Sequence, residues 1–180
     1  MKALMIAGAA IVALSAPALA HADQPAAGTT TFNGSIGYAA ADADGINLGA
    51  VQGRLGVRFG QYLGIEGELA GGVDGDTVDV LGTSTEVKLR HQEAIYGVGY
   101  LPVNQNFDLL ARVGYGHSEI SASGPGVPLA TANGNSWNYG VGGQYFFDGA
   151  NGVRVDYTRH DFSDGGPNAD VWSVGYTRRF

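Results

Sequence analysis

Residues 137–145 read Trp-Asn-Tyr-Gly-Val-Gly-Gly-Gln-Tyr, and the alternation within this stretch decides the fold. In an extended chain Trp137, Tyr139, Val141 and Tyr145 lie on one side, and asparagine, glycine and glutamine lie on the other. A helix would mix these residue types on one stripe, and each interior glycine would cost about 1 kcal/mol. The segment is therefore predicted to be a β-strand with one apolar face and one polar face.

The same alternation recurs along the chain and predicts eight strands. The apolar faces of the other seven contain Ile36, Val57, Ile65, Val98, Val113, Val155 and Val174. The fourth strand, which begins near Thr85, changes register between Leu89 and Tyr96. Either a β-bulge near residues 91–93 or an upper half outside the membrane, without strict facing, accounts for this change.

Short and long connections alternate between the predicted strands. The short ones are 60–62, 101–106 and 148–152. The longer ones, rich in Gly, Asp, Ser and Asn, are 41–47, 71–84, 118–135 and 159–170. This alternation is typical of bacterial outer-membrane barrels, in which the short turns are periplasmic. An even number of strands then places both chain ends on the periplasmic side.

A soluble β-sandwich also has alternating strands, so the polar face has to distinguish it from a barrel. Here that face combines glycines with charged residues that we predict to form a lumen network: Arg54, Arg58, Glu66, Glu68, Arg112, Arg154, Asp156 and Arg179. Glycines suit a narrow lumen, where eight strands leave room only for side chains, but would weaken a solvated sandwich face. We predict an all-β, eight-stranded antiparallel up-and-down transmembrane β-barrel whose lumen charges pair and block a wide channel.

The first twenty residues have the layout of a secretory signal peptide. Met1-Lys2 is a short positive start, an apolar stretch runs to Leu14, and Ala18-Leu19-Ala20 supplies the small residues of a cleavage site. We predict cleavage after Ala20, with Ala22 as the second choice and a retained N-terminal anchor as the alternative. Residues 21–180 then form the barrel domain.

Composition excludes several classes of function. Ten lysines and arginines against seventeen acidic residues give a net charge of −7, which argues against a nucleic-acid partner. Cysteine is absent, so the chain has no disulfides and no thiolate metal site. Beyond the predicted signal peptide, no apolar run approaches the roughly 18 residues that a spanning helix requires.

Three pairs of motifs resemble the OmpA-like outer-membrane β-barrel (porin) family. They are Gly49–Gly56 with Leu63–Glu68, Tyr96–Pro102 with Phe107–Gly116, and Gly152–Tyr157 with Val174–Phe180. Each motif is weak alone, but their order is fairly specific and covers essentially all of the mature chain. The resemblance implies export to the cell outer membrane, contact with its lipids and lipopolysaccharide, and insertion by the barrel-assembly machinery. We expect a monomer.

The end of the chain resembles the C-terminal assembly signal of this family. Trp172, Val174, Tyr176 and Phe180 occupy alternate positions, with the phenylalanine last. Arg178 departs from the pattern, since the family usually has an aromatic or apolar residue there. At the periplasmic interface an arginine can snorkel to the lipid headgroups, so the departure weakens the signal without affecting the fold.

Two segments resemble chemical sites, but a structural interpretation as surface loops fits each of them better. Lipid A deacylases of this size have His and Ser two apart on one face, whereas His160 and Ser163 are three apart in a predicted loop. The segment 74–79 resembles a calcium loop but has Val78 and Asp79 where an EF-hand needs an oxygen ligand and a glycine. A solvated acidic loop fits it better than a loose divalent-cation bridge to lipopolysaccharide phosphates.

We therefore predict no catalytic, cofactor or metal site, and a structural or surface-interaction role in the envelope. A narrow non-specific pore is the first alternative. A lipid A-modifying enzyme is the second.

The assembly signal leads to a first prediction. Deleting Phe180 should reduce the folded, heat-modifiable fraction seen on cold SDS gels well below that of the unaltered chain, because it removes the terminal contact for the assembly machinery. An unchanged folded yield at native expression level would remove the assembly role from this residue.

Overall fold

A computed structural model describes residues 29–80, 83–124, 127–163 and 168–180. The predicted signal peptide and both cleavage positions lie outside the described residues. The strands are β1 (Thr30–Ala43), β2 (Ile46–Phe59), β3 (Leu63–Val80), β4 (Thr83–Pro102), β5 (Phe107–Gly124), β6 (Val127–Phe146), β7 (Asn151–Phe162) and β8 (Ala169–Arg179). Among the described residues, no helix is long and apolar enough to cross a membrane.

The eight strands form one closed barrel in chain order, which confirms the predicted fold. Each strand pairs antiparallel with the next, and β1 pairs with β8 from Asn33 opposite Arg179 to Asp42 opposite Asp170. Closure matters because hydrocarbon offers no hydrogen bonds to an unpaired strand edge. In this closed wall, one face of every strand points into the lumen and the other points outward.

The longer connections are mostly strand, which corrects the prediction that they are loops. β5 and β6 pair up to Gly124 opposite Val127, within the segment 118–135. β3 and β4 pair up to Val80 opposite Thr83, within 71–84. Glycine, serine and aspartate are poor strand formers, but an antiparallel ladder satisfies their backbone groups wherever two strands continue side by side.

The connection between β1 and β2 has only two residues. Asp44 and Gly45 have φ angles of 51° and 85°. Positive φ at both central residues is what a two-residue type I′ hairpin turn requires, and Asp-Gly is a favoured pair for it. The predicted loop at 41–47 is therefore a tight hairpin.

A β-bulge in β4 explains its change of register. Leu89 lies opposite Ile120 and His91 lies opposite Glu119, which leaves Arg90 as the extra residue. Of the two explanations that the sequence allowed, the bulge is the one found, one residue before the predicted position. The pairing of β3 with β4 also shifts, between Gly71 and Gly75.

The lower half of β4 corrects the expectation that apolar alternate residues face outward. Tyr96, Val98 and Tyr100 are buried inside the barrel and pack with Leu110. The outward positions are taken by Ile95 and Leu101, which are 62% and 60% exposed, and by the glycines between them. Because the outward positions between Ile95 and Leu101 hold only Gly97 and Gly99, the more apolar set, Tyr96, Val98 and Tyr100, was mistaken for the outer face.

The outer surface carries two aromatic belts around an apolar band. Near the chain ends the exposed aromatic residues are Phe32, Phe59, Tyr62, Tyr145, Phe147 and Phe180. Toward the other end they are Tyr115, Trp137, Tyr139 and Trp172. Between the belts Leu55 and Leu69 are 76% and 66% exposed. Aromatic girdles on either side of an apolar band are the signature of a barrel that spans a lipid bilayer.

The polarity of the two faces reverses beyond the second belt. In the lower half of β2, apolar residues such as Leu55 and Val57 face outward, and Arg54 is buried on the other face of the strand. Toward the Asp44–Gly45 turn, Ile46 and Leu48 line the interior instead. The strands therefore leave the membrane as an extension with an apolar interior, which is the arrangement of a barrel in water.

The short turns lie at the end of the barrel that holds both described chain ends. The backbone N–H of Gly60 donates to the Thr29 carbonyl at 2.7 Å, and that of Phe180 donates to the Phe32 carbonyl at 2.8 Å. In the turn before β7, hydrogen bonds from the Asn151 side chain and backbone lower the pKa of Asp148. These bonds stabilise the turn with its carboxylate ionised.

The topology leads to a second prediction. Cysteine in place of Asn133, in the extended β5–β6 hairpin, should react with a membrane-impermeant maleimide on intact cells, because this end is expected to face outward. Cysteine in place of Gln61, in a short turn, should react only after the cells are lysed. The reverse labelling pattern would show that the barrel is inserted the other way.

Candidate functional site

The interior of the barrel holds a dense set of charged side chains. The eight residues predicted from the sequence for the lumen are all buried, with none more than 6% exposed: Arg54, Arg58, Glu66, Glu68, Arg112, Arg154, Asp156 and Arg179. They come from β2, β3, β5, β7 and β8, so they meet across the lumen rather than along one strand. The structure divides them into two groups.

The central cluster consists of Arg54, Arg112, Arg154, Glu66, Glu68 and Asp156, and Glu68 is the acceptor for two of its arginines. Arg54 Nε donates to Glu68 Oε2 at 2.7 Å, and Arg112 Nη2 donates to the same oxygen at 2.9 Å. Gln92 donates to the other carboxylate oxygen at 3.1 Å. Both oxygens of this buried carboxylate therefore have strong donors.

Arg154 connects the remaining two carboxylates of the central cluster. Its Nη1 and Nη2 donate to the two oxygens of Glu66 at 2.5 and 3.2 Å, which is a bidentate pair. Its Nε donates to Asp156 at 3.0 Å. Arg54 Nη1 reaches the same Asp156 carboxylate at 2.7 Å. Arg112 Nη1 also donates to Glu66 at 3.2 Å, so each acid accepts hydrogen bonds from two arginines and each arginine donates to two acids.

Every guanidinium nitrogen of the central cluster has a hydrogen-bond acceptor. Arg54 Nη2 donates to Ser173 at 3.1 Å, and Arg112 Nε donates to Thr158 at 3.1 Å. Arg112 also lies 4.0 Å above the ring of Tyr96, a cation–π contact. Three positive and three negative charges make the cluster neutral, so burying it leaves no uncompensated ion.

Interior glycines make the room that this cluster needs. A Cβ placed on Gly142 would lie 2.6 Å from the Asp156 carboxylate oxygen. A Cβ on Gly114 would lie 2.5 Å from the ring of Tyr96. Any larger residue at either position would displace a member of the cluster or the aromatic ring beneath Arg112.

The lower cluster lies toward the short turns and contains an acid that sequence reasoning missed. Asp108 accepts from Arg58 at 2.8 Å, from Arg179 at 3.2 Å and from Gln144 at 2.9 Å. The two arginines also lie over the rings of Tyr100 and Phe146. Asp108 is on the polar face of β5, two residues before Leu110, and its regular spacing from Arg112 was the signal that could have identified it.

The residues of the predicted assembly signal lie on the outer wall. Trp172, Val174 and Phe180 are exposed there, while Tyr176 is half-buried and donates a hydrogen bond to the Asn151 side chain. The guanidinium of Arg178 lies 5.4 Å from the centre of the Phe180 ring. Trp172, Val174 and Tyr176 are on β8 and Phe180 follows it, next to the seam where β8 pairs with β1.

The structure does not bring together the residues of the enzyme alternative. His160 is buried inside β7, whereas Asp161 and Ser163 are exposed. In the segment 74–79, Asp76 is engaged by the backbone N–H groups of Asn47 and Thr77. Among the described residues, no three His, Cys, Asp or Glu side chains are placed to share a metal ion.

A family model described as "Outer membrane protein beta-barrel domain" matches residues 6–180. No curated protein matches the chain.

Solved structures share the fold at low sequence identity. The attachment invasion locus protein Ail of Yersinia pestis, in complex with the heparin analogue sucrose octasulfate, is 20% identical with a TM-score of 0.63, over 84% of this chain and 99% of that one. The N-terminal β-barrel domain of Pseudomonas aeruginosa OprF is 9% identical with a TM-score of 0.58, over 86% and 99%. OprG of Pseudomonas aeruginosa is 10% identical with a TM-score of 0.58, over 87% and 98%.

The central cluster leads to a third prediction. Because Arg112 and Glu68 are buried and hydrogen-bonded to each other, Arg112→Met alone should destabilise the barrel by about 3–5 kcal/mol, since it leaves carboxylates under-compensated. Combining it with Glu68→Gln should show a coupling free energy of about 1–3 kcal/mol. Urea unfolding of each variant in lipid vesicles, as a double-mutant cycle, measures both quantities.

A matched pair outside the lumen provides the control. Arg90 and Glu119 are joined at 2.8 Å on the exposed hairpin, with Arg90 54% exposed. The same cycle there should give a coupling below about 1 kcal/mol, because water screens it. Equal coupling for the two pairs would show that the central cluster is as well solvated as the surface.

Proposed function

Because this chain belongs to the outer membrane protein β-barrel domain family, we propose that it serves as a closed barrel with a structural or surface-interaction role in the envelope. It is an outer membrane protein, and the proposal concerns what its lumen does. The alternative within the same family and fold is a narrow, non-specific pore. The distinction depends on whether ions can pass the central cluster.

The observation that carries the proposal is the complete mutual pairing of the six central side chains. They reach across the lumen from β2, β3, β5 and β7, and eight strands leave little interior beyond the side chains themselves. An ion could pass only if an arginine moved away from its acids. Breaking a buried pair in this way costs about 3–5 kcal/mol, which favours the closed arrangement.

The outer wall supports the proposed partners. The apolar band between the aromatic belts is suited to lipid acyl chains, and the polar hairpins above the upper belt are at the level of lipopolysaccharide headgroups. The outward-facing residues at the end of the chain, Trp172, Val174, Tyr176 and Phe180, are proposed to contact the barrel-assembly machinery during insertion. A closed wall has no free strand edge, so we propose that the protein acts as a monomer.

Catalysis is not part of the proposal. A lipid A-modifying reaction would need His160 beside a nucleophile, but Ser163 is exposed while His160 is buried. Mass spectrometry of lipid A from cells with and without Ser163→Ala should therefore give the same species.

Single-channel recording provides a fourth prediction. It distinguishes a lumen closed by the central cluster, which we call the plug, from an open pore. The unaltered protein in planar lipid bilayers should give no discrete conductance steps, because the central cluster fills the lumen. Replacing Arg112 and Glu68 together by alanine removes one oppositely charged pair and two large side chains, so this variant should conduct measurably.

The control is the pair Arg90→Ala with Glu119→Ala, which removes the same residue types from the outside of the barrel. It should remain as closed as the unaltered protein. Conductance steps of equal size in all three proteins would favour the pore and contradict the proposed plug.

A further inference from the structure

A second interior space lies above the central cluster, between the extended parts of the strands. This upper cavity has a volume of about 390 Å³ and is lined by residues near the hairpin end of the barrel. Its wall is almost entirely apolar and includes Ala41, Ile46, Leu48, Leu89, Ile120 and Phe162. A concave, largely apolar space of this volume is of the size that binds small molecules in proteins.

The floor of the upper cavity contains a buried histidine. His160 lines the cavity and is 2% exposed, and its Nε2 has no hydrogen-bond partner among the described residues. Two residues earlier on the same strand, Thr158 accepts from Arg112 of the central cluster. The imidazole thus lies between the charged layer and the apolar space. A buried nitrogen without a partner is costly, and a ligand that binds it recovers that cost.

The charges beneath the floor are already satisfied. Every guanidinium nitrogen of Arg112 bonds to Thr158, Glu66 or Glu68. The other polar residues that line the cavity, Gln52, Gln92, Ser118 and Asn133, carry no charge, and Gln92 donates to Glu68. A charged ligand group would therefore lose its hydration without gaining an opposite charge. A neutral hydroxyl has no such penalty, and it can donate to or accept from either tautomer of His160.

We propose that the upper cavity binds a small neutral molecule with an aliphatic body and a single hydroxyl group. The hydroxyl hydrogen-bonds to His160 Nε2 at the floor, and the aliphatic body contacts the apolar walls formed by residues such as Leu48, Leu89 and Phe162. The ligand enters from the hairpin end. This site goes beyond the proposed function, because it lies above the plug and requires no passage through it.

The test uses 1-octanol as the probe and the protein in phospholipid nanodiscs, with isotope-labelled Ile and Leu methyl groups for NMR. Methyl groups of Ile46, Leu48 and Leu89 report on the cavity. Methyl groups of Leu55 and Ile95, which face lipid, report on probe that has merely partitioned into the bilayer. Specific binding should shift the cavity methyls saturably and leave the lipid-facing methyls with a weak, linear change.

Two substitutions distinguish the parts of the proposal. His160→Phe keeps a ring but removes the hydrogen bond, and should weaken 1-octanol binding about fivefold. Ala41→Phe should fill the cavity and abolish the saturable shifts. Ala40→Phe is its matched control, since Ala40 is the adjacent residue on the exposed face and should leave binding unchanged. Heat-modifiability on SDS gels verifies that each variant has folded.

Octanoate, with the same chain and a charged head, tests the preference for a neutral ligand. It should bind at least about tenfold more weakly than 1-octanol, because the nitrogens of Arg112 beneath the floor are already bonded and its carboxylate gains no opposite charge there. Octanoate binding as tightly as 1-octanol would overturn the assignment of a neutral ligand. Equal, unsaturable shifts of cavity and lipid-facing methyls, or unchanged binding in Ala41→Phe, would overturn the site itself.

Discussion

The hydrogen-bonded seam between β1 and β8 is the constraint on which the rest of this structure depends. In hydrocarbon an open sheet edge would leave a row of backbone groups without partners, so the sheet has to close. Closure with eight strands makes the lumen narrow. A narrow lumen that contains Arg54, Arg112 and Arg154 must also contain their counter-charges, because none of these groups can reach bulk water. The central cluster is thus a consequence of the number of strands.

The reversal of polarity along the strands divides the barrel into two environments. Below the upper aromatic belt the outside is apolar and the interior is charged, as lipid requires. Above it the outside is polar, and Ile46, Leu48 and Phe162 make the interior apolar. The β4 bulge at Arg90 lies where this change occurs, since the residue after it, His91, is on the outer wall and Leu89 lines the interior. This register shift therefore turns the apolar residue Leu89 inward above the bulge, while His91 after it faces outward.

Periodicity of two was sufficient to predict the number of strands and the buried face of the eight charged residues, because these depend only on local alternation. It assigned the lower half of β4 to the wrong face. It could not assign partners: Arg154 and Glu66 are 88 residues apart in the chain and meet only through barrel curvature. The upper strand halves were read as loops because their glycines and aspartates are poor strand formers in isolation. The pattern Ile46, Leu48, Ala50 was nevertheless present there, on the face opposite to the apolar face of the lower half of β2.

The shared contacts of the central cluster also limit how this sequence can drift. Because each acid accepts hydrogen bonds from two arginines, a substitution at one position changes the effect on stability of substitutions at several others. Neutral evolution should therefore cross this region in correlated steps, with opposite charges lost or exchanged together, whereas the lipid-facing positions such as Leu55 and Leu69 can interchange among apolar residues independently. We therefore expect the residues of the barrel interior to change more slowly than those of its membrane surface.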